Sequence, residues 1–132
     1  RRMPERMHLI EEALFGMFRE NGRVSHAVER GLQLIESARG QLRVDQLATE
    51  VGLSKRQLTR EFQRVVGLSP KEYARVNRFL HALRVLNGSR HLSLTEIALE
   101  CGYFDQAHFN HEFREFAGMS PGELATFPDA AF

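Results

Sequence analysis

Arg56, Thr59, Arg60 and Gln63 stand at successive spacings of three, one and three residues. On a helix these positions form one stripe. Each arginine carries a planar fork of donors that fits a pair of acceptors such as guanine O6 and N7, worth ~1–3 kcal/mol of discrimination between bases. Lys55, Arg64, Lys71, Arg75 and Arg78 surround the stripe in sequence. Their charges could hold phosphate groups, which fixes register without reading sequence. A second set is Gln106, Ala107, Asn110, His111 and Arg114. Gln106 has the amide that pairs with adenine, and Asn110 or His111 could reach a phosphate or a base.

Other chemistries find little purchase. No carboxylate pair, glycine-rich phosphate loop or nucleophile motif stands out, so no enzyme is expected. Cys101, His108 and His111 could be imagined around zinc, but tetrahedral sites want four ligands. No fourth lies nearby, and the helix that carries the histidines aims Phe109 inward. Neither a metal nor another cofactor is expected. The single cysteine, Cys101, rules out an internal disulfide and fits a reducing compartment. Nothing resembles a signal peptide or an apolar run of membrane-spanning length.

The elements that must position these residues are written twice. Residues 47–73 read LATEVGLSKRQLTREFQRVVGLSPKEY, and residues 97–124 read IALECGYFDQAHFNHEFREFAGMSPGEL. Ala48, Glu50 and Gly52 fall on Ala98, Glu100 and Gly102. After a one-residue insertion at Phe104, Glu61 and Phe62 meet Glu112 and Phe113. Gly67, Ser69, Pro70 and Glu72 then meet Gly118, Ser120, Pro121 and Glu123. Such self-similarity marks one supersecondary unit built twice.

Each copy reads as two helices about a tight turn. Leu47, Ala48 and Val51 form a short apolar stripe that ends at Gly52, which can close a helix with positive φ. Ala48 is small enough for two helices to cross closely. Ser54 and Gln57 form a capping box, and Leu58, Phe62 and Val65 give the second helix its buried face. In the second copy Asp105 is the N-cap, with Phe109, Phe113 and Phe116 expected inward. Helix, glycine-containing turn and helix is the helix-turn-helix signature.

Before the repeat, residues 5–20 carry a period-four apolar stripe stopped by Asn21-Gly22. This predicts an amphipathic helix over residues 1–22, a linker from an upstream part that the sequence, starting Arg1-Arg2-Met3, does not include; packing on its own domain or a dimer contact are the alternatives. Ser25 opens the next helix, with Val28, Leu32 and Ile35 inward, to about Arg39-Gly40. The first motif spans about 43–66, and Arg43 stands where the second copy has the better N-cap Ser93. Ser69-Pro70-Lys71-Glu72 starts a helix to about 87, with Tyr73, Val76, Leu80, Leu83 and Leu86 on one face. The second motif spans about 93–117, a short helix follows Ser120-Pro121, and a frayed tail follows Thr126. The expected fold is all-α, with two helix-turn-helix lobes joined by a long linker helix.

The net charge of +1 hides an asymmetry. Residues 54–92 hold nine basic side chains against Glu61 and Glu72, a balance of +7. Residues 93–132 hold seven acidic ones against Arg114, a balance of −6. The acids Glu100, Asp105, Glu112 and Glu115 are expected to repel phosphate near the second motif.

This arrangement, and above all GYFDQAHFNHEFREFAGMSP, resembles the AraC/XylS-type transcription regulators over about residues 25–125. The resemblance implies that residues 23–132 are a double-stranded DNA-binding domain with homeodomain-like helical lobes. Each lobe would offer a helix to the major groove on one face of the DNA. It implies base-reading positions at Arg56, Thr59 and Arg60 in the first motif and at Gln106, Ala107 and His111 in the second. His111 departs from the arginine common there. Phosphate contacts are expected from Lys55, Arg64, Lys71, Arg75, Arg78 and Asn110. The resemblance further implies a cytoplasmic, nucleoid-associated activator of transcription that meets RNA polymerase. An upstream sensor domain and a homodimer of the full-length protein belong to the same expectation. The alternative is a helical protein-interaction module with a degenerate DNA site, which would not need the basic stripe.

The two lobes are expected to contribute unequally. A linker helix of roughly 25 Å is shorter than the ~34 Å between successive major grooves on one face. Bending the DNA to compensate costs on the order of 1–6 kcal/mol, and an acidic second lobe has little Coulomb attraction to offset it.

Overall fold

A computed structural model describes residues 26–88 and 91–126. The amphipathic helix expected at 5–20 and the tail after Thr126 lie outside the described residues. Seven helices make up the described part: α1 (His26–Ser37), α2 (Val44–Val51), α3 (Lys55–Val65), α4 (Pro70–Gly88), α5 (Leu94–Glu100), α6 (Gln106–Ala117) and α7 (Pro121–Ala125). No strand occurs among the described residues. The chain divides into two compact units within α4, one ending at Asn77 and the other beginning at Arg78.

In the unit ending at Asn77, α1 buries Val28, Leu32 and Ile35, and α3 buries Leu58, Phe62 and Val65. The two helices come close at Gly31, where an added Cβ would stand 3.0 Å from the Phe62 ring. Phe62 is fully buried, and Tyr73 from α4 meets it edge-on at 6.3 Å between ring centroids. The Tyr73 hydroxyl donates to the Glu36 carboxylate at 2.6 Å, so the polar end of a buried ring keeps a partner.

The turn between α2 and α3 follows from glycine. Gly52 sits at φ +75°, a conformation costly for residues with a Cβ. The Leu53 amide then donates to the Ala48 carbonyl at 3.0 Å. In the unit beginning at Arg78, Gly102 sits at φ +88° and the Tyr103 amide donates to the Ala98 carbonyl at 3.0 Å. The hydrogen bonds match, as the repeat requires. Both small alanines, Ala48 and Ala98, are buried beneath their turns.

Capping follows the sequence closely. Ser54 with Gln57 and Ser93 with Glu96 form reciprocal boxes, while Arg43 makes no side-chain cap. Asp105 accepts from the His108 amide at 2.8 Å and starts α6. The linker helix α4 includes Asn87 and Gly88 rather than stopping at them. Val76, expected on its buried face, is only half-buried.

Phe113 is the fully buried equivalent of Phe62, with Phe79 edge-on at 5.1 Å and Phe109 at 5.7 Å. Phe116 departs from the inward role expected for it. It stacks on Phe79 at 5.0 Å but remains 40% exposed, whereas Val65 in the first copy is buried. A phenyl ring at the end of the stripe is covered only in part by that neighbour.

Candidate nucleic-acid interface

The first motif presents its stripe as a surface. Ser54 fixes where α3 begins, and burial of Leu58, Phe62 and Val65 fixes its rotation. Lys55, Arg56, Thr59, Arg60 and Gln63 consequently line one shallow, open groove. Lys55, Arg56, Arg60 and Gln63 are exposed and Thr59 is half-buried. The Thr59 hydroxyl donates to the Lys55 carbonyl at 2.8 Å, which leaves its oxygen lone pairs and its methyl group for a ligand.

Arg64 lies beside this groove under a constraint. Its guanidinium donates to Glu61 at 2.7 Å. That hydrogen bond holds the Glu61 carboxyl below the usual carboxylate range and raises Arg64. Both side chains are partly exposed, and such pairs are worth little in water, so Arg64 can still be drawn to a phosphate. Lys71 is exposed at the start of α4, and Arg75 is half-buried.

The second motif differs. Gln106 is half-buried, and the Thr95 hydroxyl donates to its side-chain oxygen at 2.7 Å. This orients the amide and leaves its NH2 group to donate. Ala107 and His111 are exposed. The His111 Nε2 lies 3.0 Å from a Glu115 carboxylate oxygen one turn on, so an acidic group accompanies any charge there. Asn110 is half-buried; its side-chain oxygen is buried without a hydrogen-bond partner, which leaves its NH2 group to meet a phosphate.

Arg78 requires a larger correction. It was expected on phosphate, yet its fork donates to both oxygens of Glu112, at 3.0 and 2.8 Å. Its Cζ lies 5.1 Å from the centre of the Tyr103 ring. Burial by itself would lower the Arg78 pKa, but the Glu112 hydrogen bonds and charge hold it above the ordinary arginine value. Glu112 is likewise not a surface acid repelling phosphate. It is buried, paired with Arg78, and lies 3.8 Å from His108 Nε2. Sequence reasoning missed this pair. The available signal was that Glu112 falls three residues after Phe109 and beside Phe113, inside the apolar stripe of α6.

His108 has a structural place as well. Its Nδ1 accepts from the Phe104 amide at 3.1 Å, and its ring meets Tyr103 edge-on at 5.2 Å. Cys101 is buried. No group of three His, Cys, Asp or Glu poised for a metal ion occurs among the described residues. No helix among them is long and apolar enough to cross a membrane.

Comparison with known proteins decides what this surface belongs to. A family model described as a helix-turn-helix domain matches residues 47–126. A solved structure described as a probable AraC family transcriptional regulator of Rhodopseudomonas palustris is 32% identical, with a TM-score of 0.67, covering 75% of this chain and 94% of that one. The chain belongs to the AraC family of transcription regulators. The DNA-binding domain of AdpA, a global transcriptional factor solved in complex with a target DNA, is 27% identical at a TM-score of 0.69, over 76% of this chain and 91% of that one. The transcriptional activator RhaS of Salmonella arizonae is 37% identical over 84 residues, 64% of this chain and 30% of RhaS. The matched stretch spans only 21 to 30% of the length of such curated relatives. The described fold is the AraC-type double helix-turn-helix, a DNA-binding domain of a transcription regulator.

Proposed function

We propose that this AraC-type domain reads double-stranded DNA chiefly through α3, with Arg56, Thr59 and Arg60 on base edges. The observation that carries the reading is the exposed groove of Lys55, Arg56, Thr59, Arg60 and Gln63, whose rotation is set by the buried face behind it. In helix-turn-helix proteins the N-terminal residues of the second helix contact bases in the major groove. Lys55, Arg64, Lys71 and Arg75 supply phosphate contacts. Gln106, Ala107 and His111 on α6 form a second reading surface of lower affinity. Arg78 drops out of the phosphate set, since it is held by Glu112, and Asn110 stays in it through its NH2 group, its amide oxygen being buried.

Residues 23–132 form this DNA-binding part. The much greater length of the curated relatives supports operation within a longer regulator; a sensing domain and a homodimer belong to the same proposal. RhaS is a transcriptional activator, which supports activation as the outcome; contact with RNA polymerase, in the cytoplasm at the nucleoid, belongs to the same proposal. The work is recognition, with no catalytic step.

In-vitro selection of duplex sites with the 132-residue chain tests the reading. Arg56→Ala should cost ~1–3 kcal/mol on the selected site and relax preference at one base pair. Lys71→Ala should weaken all sequences alike and reduce the salt slope. Failure to select any sequence would instead favour an interaction module, and equal sequence-independent losses would confine Arg56 to phosphate.

A further inference from the structure

Phe104 is the residue by which the second copy of the motif exceeds the first. It is 85% exposed, in the turn that leads directly into α6. A single exposed apolar side chain is ordinary, so exposure by itself says nothing. Its position says more.

In the first copy Leu53 directly precedes the N-cap Ser54 and packs against the core. That residue occupies the place of a hydrophobic staple, whose partner four positions into the helix is Leu58. In the second copy the same place, before the N-cap Asp105, belongs to Phe104. The core contact has passed to Tyr103, one residue earlier. Tyr103 is buried, its ring lies 4.9 Å from Phe109, and its amide repeats the turn hydrogen bond of Leu53. The insertion thus releases a phenylalanine from the staple. Its backbone is nonetheless held, because its amide donates to His108 Nδ1 and the next residue caps α6.

We propose that Phe104 is a specificity-determining residue that packs on the C5-methyl group of a thymine in the major groove, at the N-terminal end of α6. Apolar contact with that methyl is one of the direct signals a base pair offers there. Recognition helices bring their N-terminal ends to the base edges, and Gln106 and Ala107 follow Phe104 immediately. An uncharged ring also suits a motif poor in cations, since it adds contact with the groove without needing a phosphate. The proposal rests on the reading of α6 as a second recognition helix.

The test uses the 132-residue chain and its selected duplex. Each thymine under the second motif is replaced singly by deoxyuridine, which lacks only the methyl group. The wild-type chain should lose about fourfold in affinity at one position, equivalent to ~0.8 kcal/mol for one buried methyl-sized group. Phe104→Ala should bind the natural duplex about as weakly and be indifferent to that replacement, and Phe104→Leu should keep part of the sensitivity. Circular dichroism of both variants should match wild type, because the side chain is exposed. Absence of any methyl-sensitive thymine, or the same sensitivity in Phe104→Ala, overturns the proposal. Gln106→Ala on the same duplexes separates the two levels. If it weakens binding while Phe104→Ala does not, only the Phe104 assignment fails; if neither matters, the reading of α6 as a second recognition helix fails with it.

Discussion

Glu61 and Glu112 occupy the same place in the two copies of the motif and meet opposite fates. Glu61 stays at the surface of α3, tied to Arg64 one turn away. Glu112 is buried in α6 and takes both donors of Arg78, a residue from the linker helix 34 positions earlier. One copy keeps its cations at the surface, where a polyanion can reach them. The other turns a cation and an acid inward and uses them to hold its recognition helix. A repeated fold therefore does not repeat its electrostatics. Arg114 is the sole Lys or Arg among residues 93–132, and the partner of Glu112 comes from α4, outside that stretch.

The largest effect expected is common to both units. Phe62→Ala and Phe113→Ala should each cost ~3–5 kcal/mol, since both rings are fully buried. Urea unfolding followed by circular dichroism measures this, and a clearly smaller loss at either position would break the equivalence of the two cores. The next effect separates the copies. Glu112→Ala leaves Arg78 without its partner in a half-buried site and should cost ~3 kcal/mol. Glu61→Ala breaks an exposed pair and should cost far less. Similar losses in the same titration would mean that the Arg78 pair is no better shielded than the surface one.

A smaller effect concerns affinity. Glu115 accompanies His111 at 3.0 Å and sits on the exposed face of α6. Glu115→Gln should tighten DNA binding by about 1 kcal/mol, the size of one unit charge at contact distance in water. His111→Arg should tighten it too, and more fully in the Glu115→Gln background, where the new arginine has no intrahelical acid to pair with. Anisotropy titrations at fixed salt decide it, and unchanged affinity would place this face of α6 away from the DNA.

The smallest effect is alkaline. Burial, reinforced by the Glu112 carboxylate, pushes the Tyr103 phenol above its ordinary value of 10.0. Below pH 10 the neutral phenol is common to folded and unfolded chains, so nothing is lost. Above it the unfolded chain gives up the proton first, and stability falls as pH rises toward the folded value. Tyr103→Phe should be nearly neutral at pH 7, because the hydroxyl meets no hydrogen-bond partner of good geometry. It should also flatten the decline above pH 10 in thermal melts, and an identical decline in the variant would assign the effect to another group.

Much of this architecture was legible because it is local. Capping residues, turn glycines and apolar stripes act within one or two turns of chain, so Ser54, Gly52, Asp105 and the Leu58–Phe62–Val65 face could be read directly. The same locality made the first reading surface legible: once three positions of α3 are buried, the stripe opposite them must be exposed. What escaped were contacts across long separations. Nothing near Arg78 in sequence announces Glu112, so a basic residue on a basic helix read as a phosphate ligand. Phe116 differs from expectation for a related reason. Its helical position was right, but how far neighbours cover it depends on the packing of other helices. Phe104 was visible as an insertion, but its release from the core emerged only once Tyr103 was seen to take the staple position.

The most direct test of the inequality between the two copies is a comparison of three variants on one selected operator at fixed salt: Arg60→Ala, Gln106→Ala and His111→Ala. Arg60 stands exposed in the basic groove of α3, while Gln106 is tethered to Thr95 and His111 to Glu115. Arg60→Ala should lose ~1–3 kcal/mol of binding free energy, and the other two should each lose less. A greater loss at Gln106 or His111 than at Arg60 would contradict the dominance of the first motif.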